Sequence, residues 1–493
     1  MPAFIFEKEA ECIRACGFLQ AMKSEDPLLA AWERTLAQKR DRAAILNPTG
    51  KIVRTFRQIG ERACHFETKI DILHTGEVLA VQIGNHEDWP SILIACLRKR
   101  LVVLPLEQSV GDLQRDAALE ICRASAVVSA GTSILRRTSP CSAESRTRHI
   151  GTMRFSDSAE SPPILLKLAS GTTATPQVIR FRGEQLLADC NQICATMGIS
   201  DADLNFGVIP ISHSYGFSNL LTPLIALGVP VVLSRDRTPR AVLEDLAQTN
   251  ATVFPGMPLF YHAFCEMDNV PFLPKLRLCI SAGAPLPVSV ARKFGEKFGL
   301  SIHSFYGASE CGGICYDRDA TNEVEGFVGQ PMNGVDLEMV DARAESSQIC
   351  VRSSAIGDGY FPEADETKFG DGFFVPDDLL SKTAKGFRIV GRVSDVINVA
   401  GKKVNPAEVE AHLLRFGGVR QAVVFGREST LRNEEVAACV VAPGVTETEL
   451  LEFCRGALSA WQMPKRIFVV DAVPANERGK ISRRELAQRF AKL

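Results

Sequence analysis

The chain has 493 residues, and 56 lysine and arginine residues against 58 aspartate and glutamate residues leave a formal charge of −2. So balanced a charge provides no overall electrostatic footprint for nucleic acid or for an anionic membrane surface. Apolar residues make up 46% of the chain and charged residues 23%, which excludes a disordered or fibrous class and predicts about two to four globular domains.

Residues 1–130 alternate short apolar runs with helical patterns. Runs at 78–83 and 101–104 have the length of strands, and the apolar density of 89–97 predicts a buried helix between them. A further helical pattern covers 28–36. Strand, helix, strand is the rhythm of a parallel sheet. Residues 132–163, rich in Ser, Thr, Pro and Arg, predict an exposed connection.

The same alternation returns at residue 164 and continues to about residue 300. Strand-length apolar runs lie at 164–168, 206–211, 229–233, 252–254 and 276–280, and helical stripes lie at 240–248 and 288–298. Short apolar strands that alternate with helices predict a doubly wound α/β body, whose ligands sit beyond the carboxyl ends of the strands.

The pattern changes after about residue 390. Helices are predicted at 406–416 and 446–458, and strands at 422–425, 436–441 and 466–470. This order indicates a small α+β module of about 100 residues with its own core.

The 15 cysteines predict a reduced, cytoplasmic protein. Their number is odd, no CxxC motif occurs, and close pairs such as Cys190 and Cys194 are four residues apart, which disfavours a structural zinc site. Acidic residues stand near the start, where a secretory signal needs a basic segment. The longest apolar stretch, 220–233, is interrupted by Pro and Gly and is shorter than the ~20 residues of a membrane span.

Two polar segments have side chains suited to a nucleotide. Residues 170–176 offer hydroxyls and a glycine that can close around an anion, although the GK[ST] ending of a P-loop is absent. Residues 305–310 are predicted to form a turn with an aromatic ring, a hydroxyl and a carboxylate, which suit a base, a phosphate and Mg²⁺. Taken alone, the first also fits a plain polar turn, and the second a buried tyrosine beside a solvated glutamate.

Two further segments offer charged groups. Asp377 and Asp378 with Arg392 supply acceptors and donors for the hydroxyls of a ribose, or they are acids solvated in a polar loop. Near the end, Gly479 allows the chain to bend and to extend Lys480, which is either a compact charge for an active site or an ordinary surface lysine.

The order of these motifs is more specific than any one of them. LASGTTATPQ, FYGASE, GRVSDVINVAGKKVNPAEVE and ERGKISRREL follow one another between residues 168 and 486. With them the chain resembles the adenylate-forming superfamily of acyl-CoA synthetases, peptide-synthetase adenylation domains and firefly luciferase, over nearly its whole length. The resemblance implies a large N-terminal α/β domain over 1–391, a hinge over 392–395 and a small, mobile α+β lid over 396–493.

The resemblance also implies a nucleotide site assembled from separate segments. Lys480, Glu310 and Thr173 are the implied catalytic residues, with Mg²⁺ on Glu310, and Ser394 is the hinge position. The implied ATP contacts are Ser170, Gly171, Thr172 and Thr173 on the phosphates, Gly283, Ala284, Tyr306 and Gly307 near adenine, Ser309 on phosphate, and Asp378 and Arg392 on the ribose.

The acyl pocket and the thiol side follow from the same resemblance. His213, Tyr215 and Ala308 match the wall of the acyl pocket, and Gly401, Lys402 and Lys403 match the side that receives CoA, the two lysines being otherwise part of a solvated loop. Segment 211–215 has no carboxylate to pair with a substrate ammonium, so we expect a fatty or aryl acid rather than an amino acid.

Four departures from the superfamily pattern bear on phosphate affinity and turnover. Ala174 and Gln177 replace the usual glycine and lysine of the phosphate loop, and Pro376-Asp377 replaces the usual Thr-Gly before the ribose acid. Ser394 replaces a charged hinge residue. The turn that usually reads Gly-Gly-Ala begins here with Ser281-Ala282. The expected activity is ATP-dependent formation of an acyl-AMP, then transfer to CoA. Loading of a carrier-protein phosphopantetheine, or nucleotide binding without catalysis, remain alternatives.

Overall fold

The computed structural model describes residues 26–129, 162–168, 177–370, 372–399, 402–429, 433–474 and 481–491. The chain divides into two compact units, Met1–Leu337 with Cys350–Val375, and Glu338–Ile349 with Pro376–Leu493. The domain limits expected from the sequence stay a prediction, and most of the expected connection at 132–163 lies outside the described residues.

The strands up to residue 375 belong to two large sheets and one small sheet. In chain order, the strands up to residue 375 are β1 (Ala43–Leu46), β2 (Ile52–Thr55), β3 (Val78–Gln82), β4 (Val102–Pro105), β5 (Ala124–Ser129), β6 (Leu165–Leu168), β7 (Val178–Phe181), β8 (Asn205–Gly207), β9 (Val231–Leu233), β10 (Val253–Gly256), β11 (Leu278–Ser281), β12 (Ile302–Ala308), β13 (Gly312–Tyr316), β14 (Phe327–Pro331), β15 (Val335–Met339), β16 (Ile349–Ser353), β17 (Tyr360–Phe361), β18 (Phe369–Gly370) and β19 (Phe373–Phe374).

Helices connect these strands. They are α1 (Pro27–Lys39), α2 (Phe56–Lys69), α3 (Trp89–Arg98), α4 (Asp112–Ile121), α5 (Gly183–Met197), α6 (Ser214–Gly216), α7 (Thr222–Leu227), α8 (Pro239–Thr249), α9 (Pro258–Glu266) and α10 (Val288–Phe298), with a π-helical turn at Phe217–Leu221. Local signals set their starts: Asp26 accepts hydrogen bonds from the first backbone amides of α1, and Thr55 with Gln58 forms a capping box on α2.

The first sheet has the order β2-β1-β9-β8-β10-β11-β12-β13-β14, and its strands from β1 to β12 are parallel. The second has the order β17-β7-β6-β4-β3-β5, with β3 parallel to both β4 and β5. Parallel strands need crossover helices and are buried on both faces, which explains their continuous apolar runs. The doubly wound α/β prediction is confirmed.

Most predicted elements of this unit lie close to their expected bounds, but the strand expected at 206–211 does not. β8 ends at Gly207. The buried amide of Asn85, which follows β3, binds the backbone beyond that point, accepting from the Ile211 N–H at 2.9 Å. The apolar run therefore continues, but as an irregular segment rather than as a strand.

The second unit contains an antiparallel hairpin, formed by its first two strands, and a five-stranded sheet with its own core. Its strands are β20 (Asp378–Lys382), β21 (Phe387–Arg392), β22 (Ile397–Val399), β23 (Lys402–Val404), β24 (Gln421–Ser429), β25 (Asn433–Val441) and β26 (Arg466–Val469), and its helices are α11 (Pro406–Leu413), α12 (Glu447–Arg455) and α13 (Arg483–Arg489). Val424 packs into one core and Val423 with Phe425 into another, on opposite faces of β24. Because side chains alternate along a strand, burial on both faces requires the unbroken apolar run. The predicted α+β module is confirmed.

One arginine ties three elements of the second unit together. Arg483, at the start of α13, donates to Asp395 Oδ2 at 2.6 Å, to Glu410 Oε1 at 2.8 Å and to the Val424 carbonyl at 2.9 Å. Asp395 belongs to the 3₁₀ turn Val393–Asp395 that contains Ser394, and Glu410 belongs to α11.

In the described residues, no helix is both long and apolar enough to cross a membrane.

Asp203 aligns the amino ends of the central parallel strands. Its buried carboxylate receives two hydrogen bonds from the Arg277 guanidinium, at 2.8 and 2.7 Å, and one from the Thr252 hydroxyl at 2.8 Å. Burial raises the pKa of Asp203, but the hydrogen bonds from Arg277, the Ser200 amide and Thr252 outweigh it and hold the pKa below its usual value.

We therefore expect Asp203→Asn to lower the free energy of unfolding at pH 7 by about 1.5–3 kcal/mol, the worth of hydrogen bonds to a charged group. Because the folded pKa is depressed, this stabilisation is present above the unfolded pKa of about 4 and is lost as the pH falls through the folded value. The melting temperatures of the wild-type protein and of Asp203→Asn, measured between pH 3 and 7, should therefore differ most at pH 7 and converge at pH 3. Exposed Asp336→Asn is the control, and a wild-type melting temperature of the Asp203 variant at pH 7 would contradict the expectation.

Candidate active site

The carboxyl ends of β10 and β11 lie beside Ser304, in the middle of β12. Parallel pairing sets Gly256 opposite Ser281, and Ser281 opposite Ser304. The predicted glycine turn follows β11, and the predicted aromatic segment continues from Ser304. The structure therefore brings these two parts of the predicted nucleotide site to one edge of the sheet, where doubly wound folds bind ligands.

The glycine turn depends on backbone conformation rather than on space. Gly283 has a φ of +85°, in the left-handed region that favours glycine, while a Cβ there would lie 3.9 Å from the Met257 sulfur, an ordinary contact. Gly283 and Ala284 are both exposed, beyond the end of β11. Their backbone is thus accessible to a planar ligand at this edge.

The prediction of a turn over residues 305–310 is wrong for most of that segment, because residues 305–308 belong to a strand. β12 continues to Ala308 and pairs in antiparallel register with β13, with Tyr306 opposite Cys315. A Cβ on Gly307 would lie 2.6 Å from the Gly312 carbonyl oxygen, so this close pairing requires glycine. Tyr306 is buried, and Ser309 and Glu310 follow at the strand end, half-buried.

Glu310 is oriented by a segment far from it in sequence. Its Oε1 accepts a hydrogen bond from the Tyr360 hydroxyl at 3.0 Å, and its carbonyl accepts from the Gly357 N–H at 2.9 Å. Tyr360 is buried and packs edge-on against Phe369. Glu310 is thus a carboxylate in a defined orientation, and carboxylate oxygen is the donor that Mg²⁺ prefers, together with substrate phosphates. The predicted metal role fits the residue present.

A buried lysine that interacts electrostatically with Glu310 was not among the predicted site residues. Lys167, in β6, is 5% exposed, and its ammonium lies 4.4 Å from the centre of the Phe181 ring. Burial lowers the pKa of Lys167, and the carboxylates of Asp189 and Glu310 counteract this. Asp189 itself accepts from the Gly313 amide at 3.0 Å, just beyond Glu310. A lysine inside the apolar run 164–168 was the available signal in the sequence.

The predicted acyl wall lies against the same edge. Tyr215 is buried, its ring centre lies 5.8 Å from that of Phe305, and its hydroxyl donates to the Gly256 carbonyl at 3.3 Å. Burial raises the pKa of Tyr215 well above its ordinary value, so the phenol stays a neutral donor. His213 is exposed, and its Nδ1 accepts from the Tyr215 amide at 3.2 Å. Its role as part of the wall stays a prediction.

One hydrogen bond connects the acyl wall to the predicted phosphate contact. The Ser214 hydroxyl donates to Ser309 Oγ at 2.9 Å. Ala308 is half-buried immediately before Ser309. The structure therefore joins the residues predicted for the acid with those predicted for the triphosphate.

The predicted ribose pair forms within the second unit. Asp378 begins β20 directly opposite Arg392 of β21, and Arg392 Nε lies 2.7 Å from Asp378 Oδ1. Asp378 is 7% exposed, so it is a buried strand residue and not one of two acids in a polar loop. The Arg392 side chain is about half exposed.

Other predicted residues of this unit are only partly described. The Lys402 ammonium lies 3.8 Å from the centre of the Trp461 ring, and Ser394 lies in the 3₁₀ turn. Ser170, Gly171, Thr172, Thr173, Ala174, Gly401 and Lys480 lie outside the described residues, as does the side chain of Lys403. Their roles, and the convergence of Asp378 and Arg392 with Glu310 on one nucleotide, stay predictions.

Comparison with known protein families matches both parts of the chain. The AMP-binding enzyme family matches residues 32–361, and the AMP-binding enzyme C-terminal domain matches residues 408–480. The first match covers more than half of the chain. The protein belongs to the AMP-binding enzyme family. The resemblance to the adenylate-forming superfamily is thereby confirmed.

Relatives of this AMP-binding enzyme include ligases with two kinds of acceptor. The probable CoA ligase CCL9 of Humulus lupulus is 26% identical, over 95% of this chain and 97% of the relative. A 3,4-dihydroxybenzoate–aryl-carrier protein ligase of Bacillus anthracis is 27% identical, over 66% of this chain and 73% of the relative. Similarity therefore places this AMP-binding enzyme among acid–thiol ligases without selecting the acid or the acceptor.

The fold agrees with that assignment. The crystal structure of ATP-bound MatB from Rhodopseudomonas palustris superposes with a TM-score of 0.81 at 21% identity, over 94% of this chain and 99% of that one. At this identity the likeness shows the fold, a mixed α/β body with a smaller second part.

Proposed function

We propose that this protein uses ATP to activate a fatty or aryl carboxylic acid as an acyl-AMP and then transfers the acyl group to the thiol of CoA. The observation that carries the proposal is the Ser214–Ser309 hydrogen bond of 2.9 Å, which joins the wall assigned to the acid with the strand end assigned to the phosphates. An enzyme that joins an acid to a nucleotide needs these two subsites in contact.

The chemistry overcomes the low reactivity of a carboxylate toward thiols. In the first step a carboxylate oxygen forms a bond to the α-phosphorus, and the bond from that phosphorus to the bridging oxygen breaks, releasing pyrophosphate. In the second step the thiolate attacks the acyl carbon, and AMP leaves with the electron pair of the C–O bond. Negative charge builds on the phosphate oxygens in the first step, so cationic groups there lower the barrier.

Each proposed role follows from the residue's chemistry. Mg²⁺, when bound, neutralises charge on the phosphate oxygens. Glu310 holds it with a carboxylate that Tyr360 orients, and the hydroxyls of Thr172 and Thr173 contact the phosphates. Asp378, buried beside Arg392, accepts from the ribose hydroxyls.

Two observations support a non-amino acid and CoA. The wall segment 211–215 has no carboxylate for a substrate ammonium. Lys402, over the ring of the partly exposed Trp461, provides a positive charge beside an aromatic side chain, which suits a phosphorylated nucleotide such as the end of CoA. The aryl-carrier ligase among the relatives supports the second candidate, transfer to a carrier-protein phosphopantetheine.

One assay separates these candidates. Pyrophosphate release is measured with ATP, Mg²⁺ and a panel of fatty and aryl acids, and thioester is then measured with CoA or with a holo-carrier protein. We expect acid-dependent release and faster thioester formation with CoA. Glu310→Gln, purified in the same way, reports contaminating ligases. ATP binding without release for any acid would favour the non-catalytic alternative and refute the proposal.

A further inference from the structure

Asn85 reaches from one sheet of the first unit to the other. It follows β3 of the second sheet, yet its side chain lies at the carboxyl end of β8 in the first sheet. The residue is 5% exposed. A buried amide must find partners for both its N–H groups and its carbonyl, and here all of them are backbone groups of one segment.

Three hydrogen bonds hold that segment, residues 207–211. The Asn85 amide nitrogen donates to the carbonyls of Gly207 and Ile209, at 3.1 and 3.0 Å, and its oxygen accepts from the Ile211 amide at 2.9 Å. The Gly207 carbonyl also accepts from the Ser234 amide, at 3.2 Å, so it still takes part in the sheet. Beyond β8, Asn85 binds Ile209 and Ile211 and thereby sets the path of the chain.

The segment that Asn85 holds leads directly into the acyl wall. The His213 amide donates to the Pro210 carbonyl at 3.0 Å, and a Cβ on Gly216 would lie 2.1 Å from that same oxygen. Residues 213–216 thus fold back onto Pro210 with no free space. Because of this close packing, a shift of Pro210 would move Tyr215 relative to Gly256 and Ser214 relative to Ser309.

We propose that Asn85 is a positioning residue that sets the acyl wall and thereby the affinity for the acid. The inference rests on the proposed function, because it takes segment 213–215 to contact the acid. Among the described residues, the Asn85 side chain binds only Gly207, Ile209 and Ile211, none of them assigned to ATP. We therefore expect its main effect on the acid, with a smaller effect on the nucleotide through the Ser214–Ser309 hydrogen bond.

The test uses Asn85→Ala and Asn85→Asp, with Gln82→Ala as the matched control. In Asn85→Asp an oxygen replaces the amide nitrogen that faces two carbonyls, so both Asn85 variants lose the anchor. Gln82 is also a buried amide, on β3 itself, and donates to the Glu107 carbonyl at 3.1 Å. A purely structural role would lower the melting temperature of all three variants and leave their KM values alike.

We expect both Asn85 variants to raise KM for the acid by about tenfold and to change KM for ATP less than about twofold, since two or three hydrogen bonds to segment 207–211 are lost. The control should keep both KM values. In hydrogen exchange by mass spectrometry, the peptide covering 206–216 should exchange about tenfold faster in Asn85→Ala only.

An unchanged KM for the acid in Asn85→Ala overturns the inference. If the wild-type protein is inactive with every acid, the proposed function fails, and the exchange measurement then decides alone. Unchanged exchange over 206–216 shows that Asn85 does not set the segment, whereas faster exchange confined to it keeps Asn85 as its anchor.

Discussion

Lys480→Ala is expected to reduce adenylate formation by about 10²–10³-fold, the usual cost of one preorganised charge contact in a transition state. Negative charge develops on the α-phosphate only while the acid attacks it, and the proposed role of Lys480 is to offset that charge. Thioester formation from supplied acyl-adenylate needs no such offset, so we expect it to change less than about threefold.

The two half-reactions are measured separately, as acid-dependent pyrophosphate release and as thioester formation from synthetic acyl-AMP and CoA. Lys465→Ala removes an exposed lysine from the same unit and serves as the control. Equal loss of both half-reactions in Lys480→Ala would show that the lysine has another role.

Asp378→Asn is expected to raise KM for ATP by about 10–100-fold, since a hydrogen bond to a charged group contributes about 1.5–3 kcal/mol. Asp378 is 7% exposed and lies beside Arg392, so its carboxylate has a defined direction and is a strong acceptor for ribose hydroxyls. Arg392 is about half exposed, so the variant leaves no fully buried charge without a partner.

The decisive measurement compares ATP with 2′-deoxy-ATP and 3′-deoxy-ATP. The wild-type protein should discriminate against at least one deoxy analogue, and Asp378→Asn should lose that discrimination while its rate at saturating ATP changes little. Asp377→Asn, the neighbouring acid, is the control and should retain it. If only the Asp377 variant loses discrimination, Asp377 and not Asp378 contacts the ribose, and the proposed role of Asp378 is wrong.

The order of several motifs along the chain predicted more of the candidate site than any one motif did by itself. Tyr306, Ser309, Glu310, Asp378 and Arg392 stand in the order typical of adenylate-forming enzymes, and the family match confirms that resemblance. The geometry around them could not be predicted in the same way. The extension of β12 depends on pairing Tyr306 with Cys315, and the burial of Asp378 depends on a hairpin with Arg392.

The amino-acid sequence by itself determined the α/β class, the alternation of strands and helices, and the small α+β module, because apolar periodicity and helix caps are properties of adjacent residues. The tertiary structure alone decided the path of the chain beyond β8 and how Glu310 is oriented. Asn85 binds Ile211 across 126 residues, and Tyr360 donates to Glu310 across 50. Such a hydrogen bond has no local pattern, since its two partners become neighbours only when the sheets and loops between them have packed.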